Sequence, residues 1–224
     1  MTRTRPAVVA FDVNETLLDL VPVVHAMTGR GAPEHAFPAV FARTLGTGFA
    51  TQLTGGWCTF REAFDAALAQ LTDLGADDRA AVADTFGELA PHPDVAPALE
   101  LLAGAGVRAV TLSHGSPGIA EAGLERGGVA HLVERSLTSE SIRAWKPARE
   151  VYLWAAGACA VAPSDLALVA VHGWDVHGAQ RAGLTGGWAA RAEQHRAPAL
   201  DEPHVSGIDL VDVVHELLAL PPHG

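Results

Sequence analysis

The run Val8-Val9-Ala10-Phe11-Asp12-Val13-Asn14-Glu15-Thr16-Leu17-Leu18-Asp19 is apolar as far as Phe11, stops on a carboxylate and then turns polar. A continuous stretch of β-branched and aromatic residues suits a parallel strand covered on both faces, because neither side of it meets water. Ligands of such sheets lie beyond the carboxyl ends of the strands, which is where Asp12 falls. With a reference pKa near ~3.9, an aspartate there is ionised at neutral pH and attacks an electrophile without a base to deprotonate it.

After Thr16 the pattern becomes helical and stays so to about Pro91, with no intervening β run. Phe37, Phe41, Leu45, Phe49 and Leu53 recur at a spacing of four, and Phe60, Phe64, Leu68 and Leu71 repeat the pattern after Gly55-Gly56. This predicts two amphipathic helices joined by a glycine turn. A third helix, about Asp78 to Leu89, opens with acidic residues that suit a helix amino terminus, and Pro91 and Pro93 mark its end. From Pro93 onward strands and helices alternate. A helix over Val95–Ala105 precedes a strand over Val107–Leu112. Further strands are expected over Leu166–Val171 and Thr185–Ala190, with helices from about Arg149 to Cys159 and Ile208 to Leu218. The fold class is therefore α/β, a doubly wound parallel sheet with an inserted helical cap, divided as 1–17 and 93–224 for the core and 18–92 for the cap.

Composition narrows the function. Fifteen basic against 26 acidic residues give a formal charge of −11, which argues against nucleic acid or an anionic membrane as partner. A small anionic substrate then needs a local positive site. The two cysteines, Cys58 and Cys159, have no paired spacing, which fits a reducing compartment. Met1 to Pro6 lacks the apolar region of a signal peptide, and no run approaches the ~20 apolar residues of a membrane span, so a cytoplasmic protein is expected. His195, His204, His215 and His223 lack metal-ligand spacing and read as solvated.

Three further segments carry chemistry. Ser113-His114-Gly115-Ser116-Pro117 follows the second strand; a hydroxyl, small residues and a proline at a first helical turn make an anion site from free backbone N–H groups. Ala144-Trp145-Lys146-Pro147 holds the chain's single lysine among fourteen arginines. Its cation, placed beside Asp12, would hold that carboxylate ionised. His172-Gly173-Trp174-Asp175 follows a buried strand and leads into a helix, where Asp175 also suits an N-cap.

Taken in order, hydrophobic strand, Asp12 and Thr16-Leu17, then Ser113, Lys146-Pro147 and Trp174-Asp175 resemble the four motifs of the haloacid dehalogenase superfamily, nearest its 2-haloacid dehalogenase branch. Phosphatases of that superfamily carry a second aspartate two positions after the nucleophile, to protonate a poor leaving group. Here that position is Asn14, which cannot act as an acid, and halide needs none. The chain departs from the branch at Asn14 and Glu15, where an aromatic residue and a glycine are usual, at His114 and His172 in place of asparagines, and at Ala170 in place of a serine. The resemblance implies that Asp12 is the nucleophile and that Thr16 fixes its rotamer. It makes Arg43, within the first cap helix, the receiver of the departing halide and Ser113 a holder of the substrate carboxylate. Lys146 and Asp175 would orient the hydrolytic water, with Asn14, His114, Tyr152, His172 and Trp174 lining the pocket and Tyr152 supporting the lysine. It also implies cofactor-free hydrolysis of short 2-haloalkanoates to 2-hydroxy acids, no metal, and a homodimer. The alternatives are a Mg²⁺-dependent phosphatase, with Asp12, the Asn14 carbonyl and Asp175 as ligands, and a catalytically silent binding protein of the same fold.

Overall fold

The computed structural model describes residues 3–191, 193, 195 and 197–222. The expectation for His223 falls outside them; His195, His204 and His215 are exposed. Six parallel strands form one sheet in the order β3-β2-β1-β4-β5-β6. They are β1 (Val8–Phe11), β2 (Arg108–Ser113), β3 (Arg135–Thr138), β4 (Leu166–Ala170), β5 (Thr185–Ala189) and β6 (Val205–Gly207). β1 is central, with Phe11 in register with Thr111 on one side and Val169 on the other.

Alternate residues of the strands feed two separate cores, as the period of two requires. Val9, Phe11, Ala109, Ala167 and Val169 point to one face, under α5 (Val95–Gly104), α9 (Leu210–Ala219) and the cap. Val8, Ala10, Val110, Leu112, Leu166 and Leu168 point to the other, under α7 (Arg149–Ala158) and α8 (Gly173–Ala182). The remaining core helix is α6 (Pro117–Arg126).

The two strands absent from the sequence reading, β3 and β6, are the sheet's edges. β3 begins exposed at Arg135, and β6 has three residues of which only Val205 is buried. With one neighbour each and a partly wet surface, neither presents an apolar run.

The cap contains α1 (Val21–Thr28), α2 (Ala36–Leu53), α3 (Phe60–Leu71) and α4 (Ala76–Asp84), the last followed by a 3₁₀ turn over Thr85–Glu88. α1 was not separated from its surroundings in the sequence reading. The chain leaves and re-enters the core at one place: Leu18 bridges Pro91, Asp19 N–H donates to the Ala90 carbonyl, and His92 N–H donates to the Leu17 carbonyl. α3 starts with a capping box in which Thr59 and Glu62 serve each other's backbone N–H groups.

The spacing-of-four stripe on α2 fails at its far end. With 3.6 residues per turn, each step of four advances about 40° around the axis, so four steps turn the stripe to the opposite side. Leu53 is accordingly 87% exposed, while Thr44 and Gly48 take the buried positions. At Gly48 a Cβ would lie 2.2 Å from the Trp145 ring, so the missing side chain is what lets cap and core close on each other.

Candidate active site

The chain runs β1 to β2 to β3 in one direction and then crosses to β4 on the other side of β1. The carboxyl ends of β1 and β4 therefore flank the crevice where doubly wound sheets bind ligands. Asp12 follows β1, and His172 and Asp175 follow β4.

Asp12 is buried and its two oxygens are held differently. Oδ1 accepts from the Lys146 ammonium at 2.7 Å. Oδ2 accepts from Thr16 Oγ1 at 2.8 Å and from His172 Nδ1 at 3.2 Å. Burial pushes the Asp12 carboxyl up, yet Lys146 and His172 together hold it well below the usual carboxylate range. Lys146 is itself buried and bridges to Asp175 Oδ2 at 2.6 Å and the Leu112 carbonyl at 3.0 Å. Burial draws its ammonium down, but Asp12 and Asp175 outweigh that and hold it above its ordinary value. Burial, with the charge of Asp12 added, holds Asp175 above the usual carboxylate range against the pull of Lys146 and Tyr152.

Tyr152 donates to Asp175 Oδ1 at 2.6 Å, so it supports Lys146 through that carboxylate rather than directly. Burial and the Asp175 charge keep its hydroxyl protonated, raised well above its ordinary value. Gly178 makes room: a Cβ there would stand 2.8 Å from the tyrosine oxygen.

His172 is clamped at both nitrogens, Nδ1 on Asp12 and Nε2 on Glu15 Oε2 at 2.8 Å. Burial opposes its charge, but the hydrogen bonds to the two carboxylates prevail and its pKa is pushed up to about 10. His114 is the opposite case. Burial first, and Lys146 second, lower it well below the ordinary histidine value. Its Nε2 accepts the Lys146 backbone N–H at 2.8 Å, so it is a neutral wall residue. Trp174 stacks on both imidazoles, at 6.0 Å from His114 and 5.6 Å from His172, with the Lys146 ammonium 5.9 Å from its ring centroid.

Two expectations need correction. Arg43 lies on the exposed face of α2 and donates to Gln70 Oε1 at 3.2 Å. The rings of that helix that meet the site are Phe41, 6.0 Å from the His172 ring, and Phe49, 5.3 Å from the Trp174 ring. Phe41 and Arg43 are two residues apart, about 200° around a helix, so they cannot share a face. Ser113 is near the site, but its hydroxyl donates to the Gly115 carbonyl at 2.9 Å, as Thr138 does at 2.7 Å. Its proton shapes the loop rather than standing free for a carboxylate.

That loop opens on the cleft. A cavity of about 430 Å³ is lined from the cap by Phe60, Phe64 and Phe86 and from the core by Gly115, Ser116 and Ile119. A pocket of about 10 Å³, sharing Phe60, Phe86 and Gly115, reaches inward to Asn14 and Ser113. Glu15 and Trp145 were not singled out as site residues from the sequence. The departure at Glu15 was the available signal; Trp145, 4.4 Å from His114, had only its place before Lys146. Among the described residues no group of three or more His, Cys, Asp or Glu is arranged to hold a metal ion, and no helix is long and apolar enough to cross a membrane.

A strand-tip aspartate ion-paired to a lysine, at the switch point of a sheet bearing a helical cap, is the arrangement that defines the class of this protein. The haloacid dehalogenase-like hydrolase family model matches residues 6–183, and the chain belongs to that family. It is 29% identical over 176 residues to (S)-2-haloacid dehalogenase 1 of Pseudomonas sp. (strain CBS-3), covering 75% of this chain and 78% of that protein. To the (S)-2-haloacid dehalogenase of Pseudomonas sp. (strain YL) it is 28% identical over 196 residues, 82% of each. Its fold is that of the L-2-haloacid dehalogenase from Xanthobacter autotrophicus, solved with chloropropionic acid covalently bound. That comparison has a TM-score of 0.86 at 22% identity, covering 96% of this chain and 99% of the other.

Proposed function

We propose that this protein hydrolyses short 2-haloalkanoic acids to 2-hydroxy acids through an ester on Asp12. The observation that carries this reading is the state of Asp12: ionised by Lys146 and His172, oriented by Thr16, and followed by Asn14 where phosphoester chemistry would need an acid. The relatives' activity supports it.

Oδ2 already accepts two hydrogen bonds and Oδ1 one, so Oδ1 keeps a lone pair for attack. It bonds to C2 of the haloacid and the carbon–halogen pair leaves as halide. Water then adds to Cγ and passes a proton to Asp175. Collapse expels Oδ1 on the product, which takes its proton from Lys146; Lys146, 2.6 Å from Asp175, recovers one there. The second proton of the added water goes to solvent, and Asp12 is again a carboxylate. Lys146 thus supplies the positive charge, and no metal enters any step. The substrate carboxylate would lie at the amino end of α6, by Gly115 and Ser116.

Chloride release from racemic 2-chloropropionate in EDTA, with inversion at C2, is the expected result. Asp12→Asn should abolish it, by on the order of 10⁴-fold or more for a lost nucleophile. Phosphate release from an aryl phosphate that requires Mg²⁺ and Asp12 would overturn the assignment. A cytoplasmic homodimer completes the proposal; the two free cysteines support the compartment, and sedimentation at working concentration tests the dimer.

A further inference from the structure

Glu15 stands at a backbone φ of +63°, in the left-handed region that a residue with a Cβ adopts only when its surroundings hold it there. Among the described residues its carboxylate has one partner, His172, across 157 residues of sequence. His172 has no nitrogen left for a halide or a substrate, since Nδ1 is on Asp12 Oδ2 and Nε2 on Glu15. The pair therefore acts on Asp12 itself.

Once Oδ1 has become the ester oxygen, Oδ2 is the ester carbonyl oxygen. When water adds to Cγ, the carbonyl electron pair moves onto Oδ2, and the atoms already facing it are Thr16 Oγ1 at 2.8 Å and His172 Nδ1 at 3.2 Å. Preformed donors aimed at developing negative charge are the arrangement that lowers the barrier to a tetrahedral intermediate. We propose, resting on the dehalogenase reading above, that Thr16 and His172 form the oxyanion hole for hydrolysis of the Asp12 ester. Glu15 is the positioning residue that keeps His172 doubly protonated when esterification removes the charge of Asp12.

Glu15 is needed because that ester is neutral. Among the described residues, the charged groups around His172 are Asp12 and Glu15, which it touches, with Lys146 and Asp175 on the far side of Asp12, Arg191 on the Glu15 and Thr16 carbonyls, and Glu193 on the Gly173 backbone N–H rather than on the ring. His114, across Trp174, is neutral, and the cap offers His172 only the Phe41 ring. Without the Asp12 charge, Glu15 is the remaining anion in contact with the imidazolium. The hole therefore acts on the second half-reaction; for the halide-forming half, Lys146, whose charge is the largest single pull that holds Asp12 ionised, and Thr16 remain in place without His172. No proton leaves His172; the donors hold the extra electron pair on Oδ2 until it returns to Cγ as Oδ1 departs.

The test uses rapid mixing of the full-length protein with 2-chloropropionate, reading chloride, product and intact protein mass. Glu15→Gln keeps the size of a half-exposed side chain, and His172→Phe keeps the ring between Phe41 and Trp174. Both should release a burst of chloride equal to the enzyme, accumulate the covalent adduct and lose kcat, about 10²-fold for His172→Phe. Glu15→Gln should also move the alkaline limb of kcat to lower pH, which a structural role would not do. No adduct in either variant, or an unmoved alkaline limb in Glu15→Gln, would overturn the proposal. Absence of chloride release from the unmodified protein would instead overturn the dehalogenase reading on which it rests.

Discussion

The two sides of the contact between cap and core are built from different chemistry. The sheet side carries Asp12, Glu15, Lys146, His172 and Asp175, each fastened by hydrogen bonds of 3.2 Å or less to another of them. The cap side carries rings: Phe41 over His172, Phe49 edge-on to Trp174, and Phe60 stacked near Trp145. Charge must be placed to within a fraction of an ångström to steer a reaction, and strand ends hold it there. Rings that exclude water strengthen every charge beneath them while needing less exact placement. Polar contacts latch the cap onto the core at two places among the described residues, one of them the Arg126 guanidinium of α6, which donates to the Gly87 and Leu89 carbonyls. The Gln52 side chain accepts the Trp145 backbone N–H and donates to Glu150, while the Trp145 indole donates to the Cys58 carbonyl.

If chemistry belongs to the sheet and closure to the cap, changes on the two sides should fail differently. Lys146→Met is the severest test, since it strands Asp12 and Asp175 without their shared cation. Removing one partner of a buried pair costs roughly 3–5 kcal/mol, so a large drop in unfolding midpoint together with lost turnover is expected in a denaturant titration. Gly48→Ala drives a methyl into the Trp145 ring and should cost about 1–3 kcal/mol as overpacking. In the kinetics it should raise KM before it lowers the rate of the chemical step. Retention of wild-type KM would break the assignment of closure to this contact.

The pH dependence of stability is a finer probe. The folded value of His172 lies above its unfolded value. Its contribution is therefore complete below about 6.5 and is lost as pH rises through about 10. Asp12 runs the other way, contributing above about 4 and losing that contribution as pH falls. Thermal midpoints of the unmodified protein should fall across the alkaline window, and in His172→Phe that fall should shrink. Arg43→Ala should do least, within about 0.5 kcal/mol in stability and without effect on turnover, as for a solvent-facing arginine. A large loss of turnover there would mean that the cap does bring charge to the reaction.

Sequence showed the sheet side well and the cap side poorly, for physical reasons. Asp12, Lys146 and Trp174-Asp175 sit where an apolar run stops or beside a proline, so their setting is written in adjacent residues. Arg43 was placed by resemblance alone, whereas a helical residue's surroundings depend on its angle about the axis; two positions from Phe41 turned it to solvent. Glu15 was visible only as an oddity, because its partner lies 157 residues away along the chain. His114 and His172 looked alike as a pair of substitutions, yet one is neutral and the other charged. The difference comes from which side chain reaches each ring nitrogen, and that is decided by packing.

At the neck, Leu18 and Pro91 lie side by side, so the insertion enters and leaves through a single seam in the core. A segment whose two ends meet can be shortened, lengthened or replaced without rerouting any strand of the sheet beneath it. Asp12 and its charge partners could then serve under a different lid, with the pocket above them changing while the arrangement at the strand tips stays as it is.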